Sequence, residues 1–172
     1  MLLRAFVEDD AALVMEAARE ADIVRVTSVT AHSSIDDAHA FIDRQLALAI
    51  EGHGYSFALC RADEPGRAVG SAALWLKQID LGRASIGYWV LARFRGAGLA
   101  MAALQGVAQF AFEELAIPSL DVFIEPDNAA SVHLAARGGF SWQERLAGSE
   151  QINEYPVDVD RYSLDRAGWM SR

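Results

Sequence analysis

The sequence predicts a single mixed α/β domain in which a central sheet is covered by helices. Three observations carry that expectation. The 172 residues leave room for one continuous core and not for two. Strand spacing and helical spacing replace one another along the chain, and each switch is marked by Gly, Pro or Asp. Some strands follow each other at hairpin distance while others are separated by a helix, so antiparallel and parallel pieces belong to the same sheet.

Leu2 to Phe6 reads as the first strand, and Asp9 offers an N-cap for a helix that carries Leu13, Val14 and Ala17 on one face. Arg19 to Thr30 is ambiguous. Ser33 or Ser34, three residues before Asp36 or Asp37, resembles an acidic capping box, and Ala38, Phe41, Ile42, Leu46 and Ala49 then recur at helical spacing up to Gly52-His53-Gly54. Tyr55 to Cys60 and Val69 to Leu76 form a hairpin across a turn at Asp63 to Gly66, and Gly82 turns the chain into a strand from Ala84 to Val90. Ala97 to Leu115 is the strongest helix, with Leu104, Val107, Ala108, Ala111 and Leu115 on one stripe and Pro118 as its stop. A strand from Leu120 to Glu125, a short helix closed by Gly138-Gly139, and two strands, one from Phe140 onward and one from Val157 to Leu164, complete the order.

Composition narrows the function. Hydrophobic residues make up 52% and charged residues 23%, the balance of a folded globular protein. The net charge of -9 and pI near 4.8 repel a phosphate backbone, which argues against nucleic-acid binding and favours a cationic partner. One cysteine, Cys60, closes no intramolecular disulfide, and Met1 to Asp10 lacks the pattern of a signal peptide, so the cytoplasm is the expected location. The charge-free run between Arg95 and Glu113 holds Gln105, Gly106 and Gln109 and reads as a buried helix; no membrane partner is expected. His32, His39, His53 and His133 show no ligand spacing, and no metal is expected.

Chemistry concentrates in Arg93-Phe94-Arg95-Gly96-Ala97-Gly98-Leu99-Ala100, between a strand and the strongest helix. The first turn of a helix leaves N–H groups unpaired and its dipole favours an anion; two glycines admit a phosphate close to the backbone, and two arginines supply positive charge. A pyrophosphate site and a plain Gly-rich turn with surface arginines are both compatible with this loop. A Walker loop is excluded, because the sole lysine is Lys77. A dinucleotide fingerprint needs Gly where Met101 stands and an acid earlier than Glu125.

Arg95-x-x-Gly98-x-Ala100 resembles the acyl-CoA pyrophosphate motif of the GNAT superfamily of N-acetyltransferases. The likeness is strongest over Ile86-Gly87-Tyr88-Trp89-Val90, over Glu125 to Ser131, and at Gly138-Gly139-Phe140, where it resembles the ribosomal-protein N-terminal acetyltransferase (RimJ/RimL-like) branch. The resemblance implies one GNAT-like domain over 1–172. Its mixed, mostly antiparallel sheet would have about seven strands, flanked by four helices and splayed between the fourth and fifth strands. It implies acetyl-CoA as co-substrate, with Val90 and Leu91 offering backbone groups to the pantetheine arm. Arg95, Gly96, Ala97, Gly98, Leu99 and Ala100 would cradle the diphosphate, and Asn128 and Ser131 would line one face of the next helix.

It further implies direct attack of an amine on the thioester, with a backbone N–H near Val90 as oxyanion donor. Many relatives place a Tyr proton donor where this chain has Ala135, so Ser131 is the substitute donor to the leaving sulfur; a first-turn or capping role for Ser131 is the alternative. Deprotonating a lysine-like amine at pH 7 costs about 4.6 kcal/mol, against about 1 kcal/mol for an α-amine, so a base matters more for lysine. Glu150 is the candidate base, with solvated surface as its alternative and Glu125 and Glu51 in reserve. His53 is a further candidate for the acceptor pocket. Cys60 and Ser71 lack a nucleophile's setting, and Trp75 and Trp89 read as core or pocket lining.

The function expected is therefore acetyl transfer from acetyl-CoA to a primary amine on a small molecule or a protein N-terminus, such as a polyamine or an amino sugar. A larger acyl donor such as succinyl-CoA stays open. Two rivals are a non-catalytic acyl-CoA sensor and a dinucleotide-dependent enzyme. A homodimer is implied by the resemblance alone.

Overall fold

In a computed structural model, describing residues 1–152 and 155–171 without the side chains of 150–155, the strands are β1 (Leu2–Arg4), β2 (Gly54–Arg61), β3 (Glu64–Trp75), β4 (Arg83–Val90), β5 (Ser119–Ile124), β6 (Ser141–Ile152) and β7 (Tyr155–Asp165). They hydrogen-bond into one seven-stranded sheet in the order β1-β2-β3-β4-β5-β7-β6. The helices are α1 (Ala11–Ala17), α2 (Ala21–Val26), α3 (Ile35–Ile50), α4 (Leu99–Gln109), α5 (Ala129–Arg137) and α6 (Arg166–Met170). The chain divides into two compact units: Met1–Ala73 with Tyr88–Ala103, and Leu74–Gly87 with Leu104–Arg172.

In the first unit, β1 lies antiparallel to β2, with Leu2 opposite Cys60 and Arg4 opposite Ala58. Ser34 caps α3 by accepting from the Asp37 amide, and the Asp37 carboxylate accepts in return from the Ser34 amide, which satisfies two otherwise orphaned donors. Phe6, Leu13, Val14, Ile23, Phe41, Ile42 and Leu91 form the core, with the Phe6 and Phe41 rings edge to face at 6.0 Å. In the second unit, β4 runs parallel to β5, and β7 pairs antiparallel with both β5 and β6. Leu104, Val107, Ala108, Phe112, Leu120, Val122 and Leu164 are buried there. The β4–β5 register covers Arg83 to Ser85 against Ser119 to Asp121; β4 then continues to Val90 and β5 to Ile124. The paired register of these two strands is thus three residues long.

Several boundaries differ from the sequence expectation. Asp9 is not the N-cap of α1. It sits inside a 3-10 turn (Glu8–Asp10), and the buried Asp10 stands before the helix, accepting from the Val7 amide at 3.0 Å and from Arg4 at 2.6 and 2.8 Å. The hairpin turn is Ala62-Asp63, so Glu64 to Gly66 belong to β3; the Arg61–Asp63 ion pair holds this tighter connection. The ambiguous segment contains α2, and α6 is added at the end, so the described residues hold six α-helices where four are expected. The strongest helix begins at Leu99, since Gly96 and Gly98 hold left-handed backbone, and it widens into a π turn at Phe110–Glu114, where the Leu115 amide reaches back to the Phe110 carbonyl at 3.2 Å.

Candidate active site

The end of β4 is fixed by close backbone packing. A Cβ on Gly70 would lie 2.3 Å from the Trp89 carbonyl oxygen, so only glycine lets β3 approach here, and the amide of the buried Leu91 donates to Val69 at 3.0 Å. Leu91 thus spends its amide inside the protein. The Val90 carbonyl likewise accepts from Arg95 Nε at 2.8 Å.

Beyond Leu91 the chain makes a 3-10 turn (Ala92–Phe94), passes through extended Arg95, and reaches Gly96 and Gly98 at φ 79° and 76°. Both glycines border open space: an added Cβ would meet nothing within 4 Å. Gly96, Ala97 and Gly98 are exposed, while Leu99 and Ala100 are half-buried. The first amide bonded back to the loop is that of Ala102, donating to the Gly98 carbonyl at 3.0 Å. Among the described residues, no side chain caps the amides from Gly96 to Met101. Unpaired amides at the positive end of a helix dipole can cradle an anion.

The arginines are placed differently from the expectation that they face a phosphate. Arg93 Nη2 donates to Glu16 at 2.6 Å and its guanidinium lies 4.5 Å from the Phe94 ring centroid. Arg95 pairs with Glu20 at 2.9 Å and Asp22 at 2.7 Å. The Ala92 amide donates to both Glu20 oxygens, at 2.9 and 3.1 Å. Glu20 went unnoticed in the sequence because its partners lie more than seventy positions away, in a segment with no clear period.

Asn128 and Ser131 come together in the second unit. Asn128 Oδ1 accepts from the Ser131 amide at 3.1 Å and caps α5, which puts Ser131 in the first turn, half-buried. The Ser131 hydroxyl has no hydrogen-bond partner among the described residues. Ala135 is 1% exposed. His133 is exposed on the same helix. The loop over 90–100 therefore belongs to the first unit and the Asn128–Ser131 pair to the second.

Glu150 stands in β6 opposite Val157, with its side chain outside the described residues. Glu125 is half-buried, and exposed Glu51 pairs with His53 at 3.2 Å. Cys60 is buried, and burial pushes its thiol up from the ordinary value, which suits packing and not nucleophilic attack. Ser71 is buried too. Trp89 packs against the first unit's core, whereas Trp75 is 41% exposed and lies over Gly87, where a Cβ would come within 2.5 Å of its ring. Among the described residues no group of three or more His, Cys, Asp or Glu is disposed to hold a metal ion, and no helix is long and apolar enough to cross a membrane.

A family model described as an acetyltransferase (GNAT) domain matches residues 1–141. An uncharacterized N-acetyltransferase, p20 of Bacillus licheniformis, is 23% identical over 164 residues, which cover 95% of this chain and 92% of that protein. Among solved structures, RimL, a ribosomal alpha-N-protein acetyltransferase in complex with coenzyme A, superposes with a TM-score of 0.81 at 20% identity, covering 96% of this chain and 94% of its own. A spermidine N-acetyltransferase chimera from Vibrio cholerae and hSSAT superposes with a TM-score of 0.80 at 17% identity, over the whole of both chains.

Proposed function

The chain belongs to the GNAT acetyltransferase family, and on that footing we propose that residues 1–172 work as one domain that moves an acetyl group from acetyl-CoA to a primary amine. The observation that carries the proposal is the cradle at Gly96 to Ala100: two left-handed glycines bordered by open space, leading into a helix whose first amides no side chain among the described residues caps. A diphosphate needs that combination of close approach, unpaired donors and dipole. Gly96, Ala97, Gly98, Leu99 and Ala100 would hold it. Acetyl-CoA when bound supplies the acetyl group already activated as a thioester.

The protein's own work is then to position the groups and to manage protons. Ser131 retains a hydroxyl with no partner among the described residues, so it can donate a hydrogen bond to the leaving sulfur, whose thiol pKa of about 8.5 calls for modest help. Asn128 orients that serine through its amide. Glu150 is proposed as the base that takes the proton from the acceptor amine. The acceptor is a cationic amine, because the net charge of -9 favours such partners and relatives are named for protein α-amines and for spermidine.

Melting the protein with coenzyme A and, separately, with NAD tests the cofactor: coenzyme A raises the transition temperature and NAD leaves it unchanged. Release of free thiol from acetyl-CoA across a panel of polyamines, amino sugars and peptides with free N-termini tests the chemistry. Tight coenzyme A binding without turnover on any amine would instead support the sensor reading, which the alanine at position 135 favours.

A further inference from the structure

Arg95 opens the phosphate motif, yet all three of its guanidinium nitrogens are engaged inside the protein. Nε donates to the Val90 carbonyl at 2.8 Å, Nη2 to Glu20 Oε2 at 2.9 Å, and Nη1 lies 2.7 Å from Asp22 Oδ2. Glu20 is the hub of the arrangement. Its side chain is 19% exposed, and besides Arg95 it accepts from the Ala92 amide through both oxygens. One carboxylate therefore ties the start of α2, the turn after β4 and the first residue of the motif into a single rigid corner. It also balances charge: without Arg95, Glu20 would stand as an uncompensated negative group beside a site built for an anion.

We infer that Glu20 is a positioning residue for coenzyme A. It locks Ala92 and Arg95, so that the backbone amides after Arg95 point at the diphosphate, and Arg95 acts by holding the loop in place without touching the phosphates. The inference rests on the acetyl-CoA reading above and goes beyond it by separating the residues that bind from those that aim them. Preorganised amides bind an anion without having to be ordered at the moment of binding, so loss of the clamp falls on affinity.

A double-mutant cycle tests this, with coenzyme A affinity measured by calorimetry on the full chain. Glu20→Ala and Arg95→Ala each weaken binding by about tenfold, and the double variant is no weaker than the worse single one, because both changes remove the same clamp. Glu20→Gln keeps an oxygen for the Ala92 amide and recovers part of the loss. In turnover the loss appears in KM for acetyl-CoA and not in kcat. If Arg95 instead touches the diphosphate, Glu20→Ala frees it and binding holds or tightens, while Arg95→Ala costs the same in either background; that result overturns the inference. Unliganded melting curves check folding, and if Glu20→Ala unfolds, the same cycle is run with Glu20→Gln. A wild-type protein that ignores coenzyme A would defeat the acetyl-CoA reading itself, whereas wild-type binding that is indifferent to Glu20 would defeat only this inference.

Discussion

Ser131 illustrates how one position can satisfy a structural role and keep a chemical one. Its amide is spent on the Asn128 cap, as any first-turn residue's would be, but its hydroxyl is uncommitted among the described residues. Replacing it with Ala preserves the cap, which uses only the backbone of residue 131, and removes the hydroxyl proposed as donor to sulfur. Ser131→Ala is therefore expected to leave coenzyme A affinity unchanged and to lower kcat on the order of a hundredfold, the usual scale for a positioned proton donor; an unchanged kcat would remove the serine from the mechanism. Asp160 makes the contrasting case of a charged residue with a purely structural part. Arg145 grips it with two bonds of 2.9 Å, which holds its carboxyl below the ordinary range. A carboxyl depressed in the folded state adds stability above its unfolded pKa and loses that contribution as pH falls through the folded pKa. Asp160→Asn should accordingly be less stable than wild type at neutral pH, and urea titrations at decreasing pH should show the gap closing below the ordinary Asp pKa of about 3.9.

At the scale of elements, the capping box of α3 and the glycine loop before α4 give the sharpest expectations. Ser34→Ala removes the acceptor for the Asp37 amide and should cost about 1 kcal/mol, read as a lowered urea midpoint with unchanged slope. Gly98→Trp forces a side chain onto left-handed backbone at φ 76° and fills the open space beside it; the fold should survive while the melting shift with coenzyme A disappears. Both features were legible in the sequence because each is written within a few adjacent residues: Ser34 with Asp37, and Gly96 with Gly98 ahead of an apolar stripe. Elements whose form depends on distant partners were not. Whether Asp9 or Asp10 precedes α1 is decided by Arg4, which comes from a different element, and the π turn at Phe110 continues an apolar stripe that reads as ordinary helix. The same limit applies to the site. Gly98 and Ser131 stand in recognisable local patterns, whereas Glu20 acquires its role only when folding brings it to Ala92 and Arg95.

The whole molecule carries 24 acidic side chains against 15 basic ones, and arginines account for all the basic charge except Lys77. Many of those arginines are already spent: Arg4 on Asp10, Arg61 on Asp63, Arg93 on Glu16, Arg95 on Glu20 and Asp22, Arg145 on Asp160, and Arg161 on Glu144. The charge presented to an approaching substrate is therefore the acidic surplus. Such a surplus attracts a polyamine over distances of the order of the Debye length, about 10 Å at 0.1 M salt and about 30 Å at 0.01 M. Added salt should therefore raise KM for spermidine severalfold over that range, while KM for an amine of low charge, such as a peptide N-terminus without basic residues, stays level. The comparison is made at saturating acetyl-CoA, so that any effect of salt on diphosphate binding drops out. Equal salt dependence for both acceptors would mean that recognition of the amine is local and that the acidic surplus serves solubility alone.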